Sequence, residues 1–321
     1  MFKKYSSVIV TGSMAYDDIM DFPGFFKDYL HPDKLHQINV SFVLDKIEKQ
    51  IGGTGTNIAY NLKLVLGGDK VPVILLGAVG KDGQEFIRFL KKNRCDTKGI
   101  IVDKKLYTAT GKVITDKNDN QIWGFYYGAS QTASKHQLKK YADSDSLVFI
   151  SANHPKAFLH FQKQAIAGEY DYFYDPGMSL TWITDKDLKE GVFNSKFLVG
   201  NDYEIAMICK RLKIDVKNLV KKAINVVTTL GEKGVCYEYS EKNLYKKIVV
   251  PAFPVRNVLD PTGAGDAWRA GFTAGIIKDC SLTDCLKLGN VMASFAIETY
   301  GTVNHHPDQK AITDRSLLIS A

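Results

Sequence analysis

Cysteine is scarce in this chain and follows no pattern. Five occur in 321 residues, Cys95, Cys209, Cys236, Cys280 and Cys285, and no C-x-x-C pair is among them. An odd count without that spacing points to neither a disulfide framework nor a zinc ribbon. Free thiols in a reducing cytosol are the simplest account. Long apolar runs are missing as well. Val71–Val79 and Leu147–Ser151 fall far short of the roughly 20 residues that span a bilayer. The start is basic, but Val8–Val10 is too short for the apolar core of an export signal, and Asp17 and Asp18 follow soon after. The sequence therefore reads as a cytoplasmic protein with no membrane partner. Internal repeats, low-complexity tracts and Ser/Gly linkers are absent too.

What remains is close to an average soluble globular composition, with 45% hydrophobic, 11% aromatic and 24% charged residues. That excludes collagen, a disulfide mini-scaffold and a largely disordered chain. The net charge of +7 is the unusual figure. A basic balance suits nucleic acid, an anionic surface, a small anionic ligand or simply a solvated Lys-rich surface. Here the basic pairs are dispersed, at Lys3-Lys4, Lys91-Lys92, Lys104-Lys105, Lys139-Lys140, Lys221-Lys222 and Lys246-Lys247. They are not gathered with aromatics, so a solvated surface is the reading and no nucleic-acid partner is expected.

Val8–Thr11 reads as a buried strand, and Gln37–Leu44 as another. After Gly52-Gly53-Thr54-Gly55-Thr56, the residues Ile58, Ala59, Leu62, Val65 and Leu66 recur at helical spacing until Gly67-Gly68. Val73–Leu76 predicts a strand, and Phe86, Ile87 and Leu90 a helix. Tyr107–Thr115 and Gln121–Tyr127 flank Lys117–Asn120 as a hairpin. Further strands are expected at Leu147–Ser151, Tyr172–Tyr174, Phe197–Val199 and Val226–Leu230. Helices are expected at Tyr203–Leu212, Ala264–Ile277 and Thr283–Glu298. Strands alternating with helices imply a mostly parallel sheet covered on both faces. The whole chain, 1–321, reads as one α/β domain with a small β lid made from about 14–50 and 105–128.

The strongest local motif is Asp260-Pro261-Thr262-Gly263-Ala264-Gly265-Asp266 ahead of an amphipathic helix. Gly263–Gly265 would bring backbone N–H groups together at a helix N-terminus, where an anion is favoured. Asp266, one residue on, is placed to act as a base. The same residues also suit a plain glycine-rich N-cap with Asp in the first turn. Gly52–Asn57 is a second backbone-exposing turn, either a ligand-approach site or an ordinary strand-to-helix turn. Asp17 lies just past the first strand, where α/β sheets bind ligands. There it could accept from sugar hydroxyls or cap a turn. P-loop, dinucleotide and nucleophile-elbow patterns fail on spacing. His305-His306 has no clustered ligands and reads as a tail rather than a metal site.

Taken in order, these pieces resemble the ribokinase (PfkB-type) family of carbohydrate and nucleoside kinases over essentially the full length. The carriers are DPTGAGDAWRAGF at 260–272, GGTGTN at 52–57, GSMAYDD around Asp17, Asn201-x-x-Glu204 and Thr229–Gly234. The subgroup looks like bacterial adenosine kinases, from GSMAYDDIMDFPGFF, HPDKLHQINVSF, GGTGTNIAYNL and DNQIWGFYYGA. The resemblance implies a three-layer α/β/α core with a β-sheet lid and transfer of phosphate from ATP to a nucleoside 5′-hydroxyl. A sugar kinase of the same fold, or a non-catalytic nucleotide binder, is the alternative.

It further implies a role for each motif residue. Asp17 would hold the ribose hydroxyls, with Gly52, Gly53 and Asn57 close to the sugar. Asp266 would take the 5′-hydroxyl proton, and Gly263, Ala264 and Gly265 would form the anion hole. Asn201 and Glu204 would organise Mg²⁺ through water. Thr229, Gly231, Gly234 and Asn290 would line the ATP site. Residues around Gly301 resemble the loop that holds K⁺ in many members, although Glu298–Gly301 departs from its usual pattern. Among the lid aromatics, Phe42 is the choice to touch the base. The resemblance fits a monomer or a homodimer.

Overall fold

The computed structural model describes residues 2–31, 37, 39–68, 71–118 and 120–319. The chain opens on β1 (Ser7–Thr11), every residue of which is buried, as a central parallel strand requires. β2 (Ala15–Asp21), β3 (Lys46–Gly52), α1 (Thr54–Leu66), β4 (Val73–Val79), α2 (Gln84–Lys92) and β5 (Ile100–Val102) follow. The hairpin β6 (Ala109–Thr115) and β7 (Gln121–Tyr126) comes next. After it run β8 (Ser146–Ser151), α3 (Pro155–Ala167), β9 (Asp171–Asp175), α4 (Asp185–Phe193), β10 (Phe197–Asn201) and α5 (Asp202–Leu212). The chain finishes with α6 (Val216–Lys221), β11 (Asn225–Thr229), β12 (Val235–Glu241), β13 (Leu244–Val250), α7 (Ala264–Ile277), α8 (Leu282–Ile297) and α9 (Gln309–Leu318).

Among the described residues, one nine-stranded sheet runs β13-β12-β11-β10-β9-β8-β1-β4-β5. Its pairs are parallel except β11–β12 and β12–β13. Successive residues of a strand point to opposite faces, and this divides the core in two. Val8 and Val10 of β1 and Phe149 of β8 pack with α1, α2, α7, α8 and α9. Ile9, Val148 and Ile150 pack with α3, α4, α5 and α6 on the other side. The result is a ribokinase-like three-layer architecture. Phe149, Phe173 and Phe197 stand in register on adjacent strands, with ring centroids 4.5 and 4.4 Å apart. Phe272 of α7 meets Phe173 and Phe197 edge-on.

The second sheet has four strands in the order β3-β2-β6-β7. It comes from the two strand-rich excursions, so the small lid sheet is present. Its composition differs from expectation in one place. In Gln37–Leu44, Ile38 lies outside the described residues, and 39–44 form no strand. The partner of β2 is Lys46–Gly52 instead. Phe42, whose alternation with Val40 and Leu44 mimics a strand, packs on Phe22, Phe26 and Tyr29. The stretch HPDKLH is largely outside the described residues as well. No described helix is long and apolar enough to cross a membrane.

Candidate active site

The site is assembled where the first turn of α7 faces the ends of the central strands. Asp260 fixes the approach, accepting from the N–H groups of Thr262 (2.8 Å) and Gly301 (3.0 Å). Gly263 then caps the helix at φ 80°, a conformation that glycine adopts freely. A side chain there would also sit 2.9 Å from Cβ of Thr302. The Ala264 N–H reaches Pro261 O at 3.3 Å. Among the described residues, the N–H groups of Gly263, Gly265 and Asp266 have no acceptor. These are the free donors at the positive end of the helix dipole, the arrangement that receives an anion.

Asp266 is the third residue of α7 and only partly accessible. Asn57 of α1 donates Nδ2 to its Oδ2 at 2.8 Å, and Thr302 donates its hydroxyl to Asn57 Oδ1 at 2.8 Å. Burial pushes the Asp266 carboxyl up to about 7. Arg269 and the Asn57 bond oppose that rise, while the charges of Asp175 and Glu204 add to it. A carboxylate with a midpoint near neutrality is suited to taking a proton at physiological pH.

Asp17 sits in the middle of the lid strand β2, opposite Gln50 of β3 and Gly111 of β6. Both neighbouring strands make room for it. A methyl on Gly52 would collide with Asp17 Oδ2, and one on Gly111 would lie 2.9 Å from Oδ1. The same point beside Gly111 is 3.3 Å from Trp123 and 3.6 Å from Phe125. A carboxylate and two rings therefore line one face of the lid. Burial pushes Asp17 up to about 6, helped by the charges of Asp18 and Asp260. Gly53, the α1 N-cap at φ 89°, presses against the backbone of Ser13 and Ala15.

A cavity of about 630 Å³ opens on the other side of the α7 N-terminus. Thr229, Gly231 and Gly234 line it, together with Phe253, Val258, Gly265 and Asn290. Asn290 is in the wall as expected, but its amide is already engaged. It accepts from Trp268 Nε1 at 2.9 Å and donates to Pro251 O at 2.7 Å. Its visible work is to hold the Trp268 indole.

Asn201 lies opposite Thr229 at the ends of β10 and β11. With Glu204 it forms a reciprocal capping box on α5. That box occupies one Glu204 oxygen. Burial raises the Glu204 carboxyl, with Asp175 adding and the Asn201 N–H and Arg269 opposing. No cluster of three metal-ligating side chains exists among the described residues. Mg²⁺ prefers one or two carboxylates with water and phosphate oxygens over an all-protein cage. The remaining Glu204 oxygen fits that demand.

The structure thus brings together Asp266, Asn57 and Gly263–Gly265, and separately Asp17 with Gly52. Thr229, Gly231, Gly234 and Asn290 share the cavity wall. Phe42 is found in its own aromatic cluster, whereas Trp123 and Phe125 stand beside Asp17. His305 and His306 are no tail. His305 is buried and bonded to Asn61 Oδ1 at 2.7 Å, and His306 meets the Tyr60 hydroxyl at 2.6 Å.

Three further residues of the site escape a linear reading. Arg269 follows Asp266 at helical i+3 spacing, which is a usable signal. Asp175 ends β9 before Pro176-Gly177, the carboxyl-end position at which ligands bind. Thr302 carries no local signal, because it reaches Asn57 across 245 positions.

Comparison with known proteins gives concordant matches. The sequence profile of the pfkB family carbohydrate kinases matches residues 12–309. A nucleoside kinase of Methanothermobacter thermautotrophicus is 30% identical over 286 residues, which is 88% of this chain and 89% of that protein. The crystal structure of the Methanocaldococcus jannaschii nucleoside kinase superposes with a TM-score of 0.82 at 27% identity, covering 98% of this chain and 99% of that one. A Burkholderia thailandensis nucleoside kinase in complex with inosine shares the fold, with a TM-score of 0.84, 24% identity and 98% coverage of both chains.

Proposed function

The chain belongs to the pfkB family of carbohydrate kinases, and on that footing we propose that it is an ATP-dependent nucleoside 5′-kinase whose acceptor is adenosine. The observation that carries the reading is the face of the lid sheet. There Asp17 and the rings of Trp123 and Phe125 surround one point beside Gly111. A carboxylate suits a vicinal diol, and aromatic rings suit a flat base. A simple sugar would use only the first.

In this reading Asp17 accepts hydrogen bonds from the ribose 2′- and 3′-hydroxyls. Gly52 leaves the space they need, and Gly53 and Asn57 flank the sugar. The 5′-hydroxyl then faces Asp266. As its oxygen bonds to the γ-phosphorus of ATP, the proton passes to the Asp266 carboxylate, the bond to the β–γ bridging oxygen breaks, and ADP leaves. Phosphoryl transfer asks chiefly for positioning and charge stabilisation. The free N–H groups of Gly263, Gly265 and Asp266 supply the second without having to reorient. The base of ATP occupies the cavity beside Thr229, Gly231 and Gly234.

Glu204, with Asn201, would hold Mg²⁺ through water, and that ion would offset charge on the β- and γ-phosphates. The enzyme is read as one kinase unit, 1–321, with a lid from about 14–50 and 105–128. It works as a monomer or homodimer in the cytoplasm, with its cysteines free.

The test is an ADP-release assay over a panel of nucleosides and sugars, with the product analysed for the position of its phosphate. Adenosine should give the highest kcat/KM and yield the 5′-monophosphate. A preference for ribose or fructose over every nucleoside would sink the reading.

A further inference from the structure

Beneath the first turn of α7 lies a buried cation that the proposed chemistry has not used. Arg269 donates Nη2 to Asp175 Oδ1 at 2.6 Å, and both side chains are at least nine-tenths buried. Its Nη1 lies 2.6 Å from where a side chain on Gly265 would begin. A side chain at Gly265 would therefore have to displace the guanidinium from that space. The Nε proton is buried without a partner. The guanidinium is planar, and its charge cannot be lost by deprotonation.

We propose that Arg269, clamped by Asp175, is the positioning residue for Asp266: it seats the glycine turn of α7 and supplies the positive charge that keeps the Asp266 carboxylate ionisable. The groups around Asp266 make this an electrostatic balance. Asn57 donates to it from α1, Asp175 on β9 and Glu204 on α5 oppose its ionisation, and Arg269 from α7 itself is the opposing cation. Three carboxylates share one arginine. Without that arginine, the neighbouring negative charges would leave Asp266 holding its proton more tightly. This inference builds on the proposed role of Asp266 as base.

The experiment compares Arg269→Met and Arg269→Lys with the wild type. The Asp266 carboxyl is titrated by ¹³C NMR and assigned through its loss in Asp266→Asn. Removing a close opposite charge should raise the Asp266 midpoint by about one unit or more in Arg269→Met. Arg269→Lys, which keeps the charge, should stay near the wild-type midpoint. In turnover, a one-unit shift makes Arg269→Met about tenfold slower than wild type at pH 6, with recovery above about pH 8.5. An unmoved midpoint with a rate loss equal at every pH would overturn the proposal.

Should Arg269→Met not fold, Arg269→Gln, which keeps a donor for Asp175, carries the same comparison. If neither neutral variant folds while Arg269→Lys behaves as wild type, the role is structural and the proposal fails. The NMR midpoint needs no turnover. A wild type inactive on nucleosides would therefore defeat the functional reading and still leave this inference measured.

Discussion

Asp266→Asn should bind ATP, transfer no phosphate and be more stable than the wild type at pH 8. The last outcome follows from the carboxyl's surroundings. Its midpoint rises from the ordinary 3.8 to about 7, chiefly through burial. A shift of about three units corresponds to about 4 kcal/mol held against the folded state once the group is ionised. Unfolded, the carboxyl gives up its proton near pH 4; folded, it keeps the proton to about pH 7. The folded state binds more protons across that window, so the wild type loses stability as pH rises through it. The figure is an upper bound, because the carboxylate keeps some contact with the cleft and an amide has its own desolvation cost.

The Asn57 bond survives the substitution, since the introduced amide oxygen can still accept it. The advantage of the variant should fall from about 4 kcal/mol at pH 8 to about 2 kcal/mol at pH 5.5. Denaturant unfolding at the two pH values reads the difference, with ATP binding measured alongside by calorimetry. A variant no more stable than wild type at pH 8, or an advantage unchanged at pH 5.5, would refute the burial argument. A near-normal kcat would refute the assignment of the base.

The same carboxyls shape the pH profile of the wild type. kcat should rise with pH through about 7 and level off about a unit above it, as Asp266 ionises. KM for the nucleoside should rise as pH falls through about 6, where Asp17 gains its proton; a flat profile from pH 5 to 8 contradicts both. Asp17→Ala should raise nucleoside KM at least tenfold and leave KM for ATP alone, and steady-state kinetics that show the reverse exclude its place at the ribose. Trp268→Phe removes the donor to Asn290 Oδ1, a buried acceptor. It should lower stability by about 1–3 kcal/mol and raise KM for ATP more than KM for the nucleoside; an unchanged melting temperature counts against the indole–amide pair as a support for the cavity wall.

Much of the core was legible because its signals are local. Gly263 and the apolar period after it marked α7 at Ala264–Ile277, and the structure has the helix at those bounds. Gln37–Leu44 shows what local alternation lacks. It has the right period, but its described residues 39–44 form no strand, and Phe42 packs in an aromatic cluster with Phe22, Phe26 and Tyr29. The hairpin β12–β13 left only a weak turn signal, since Lys242 and Asn243 take positive φ with no glycine between the strands. The site divided along the same line. Asp266 and Gly263–Gly265 are contiguous and could be read. Asp175 at the end of β9, Thr302 in the turn after α8 and Trp123 beside Asp17 meet their partners only through packing between distant segments.

Thr302 has a single hydroxyl proton and two acceptors within reach, Asn57 Oδ1 at 2.8 Å and Ile51 O at 3.2 Å. It can serve only one of them fully. While it serves Asn57, the amide is locked with Nδ2 on Asp266, the orientation an ionised carboxylate wants. Ile51 belongs to the lid strand β3, so a single hydroxyl joins the amide that holds Asp266 to the edge of the small sheet.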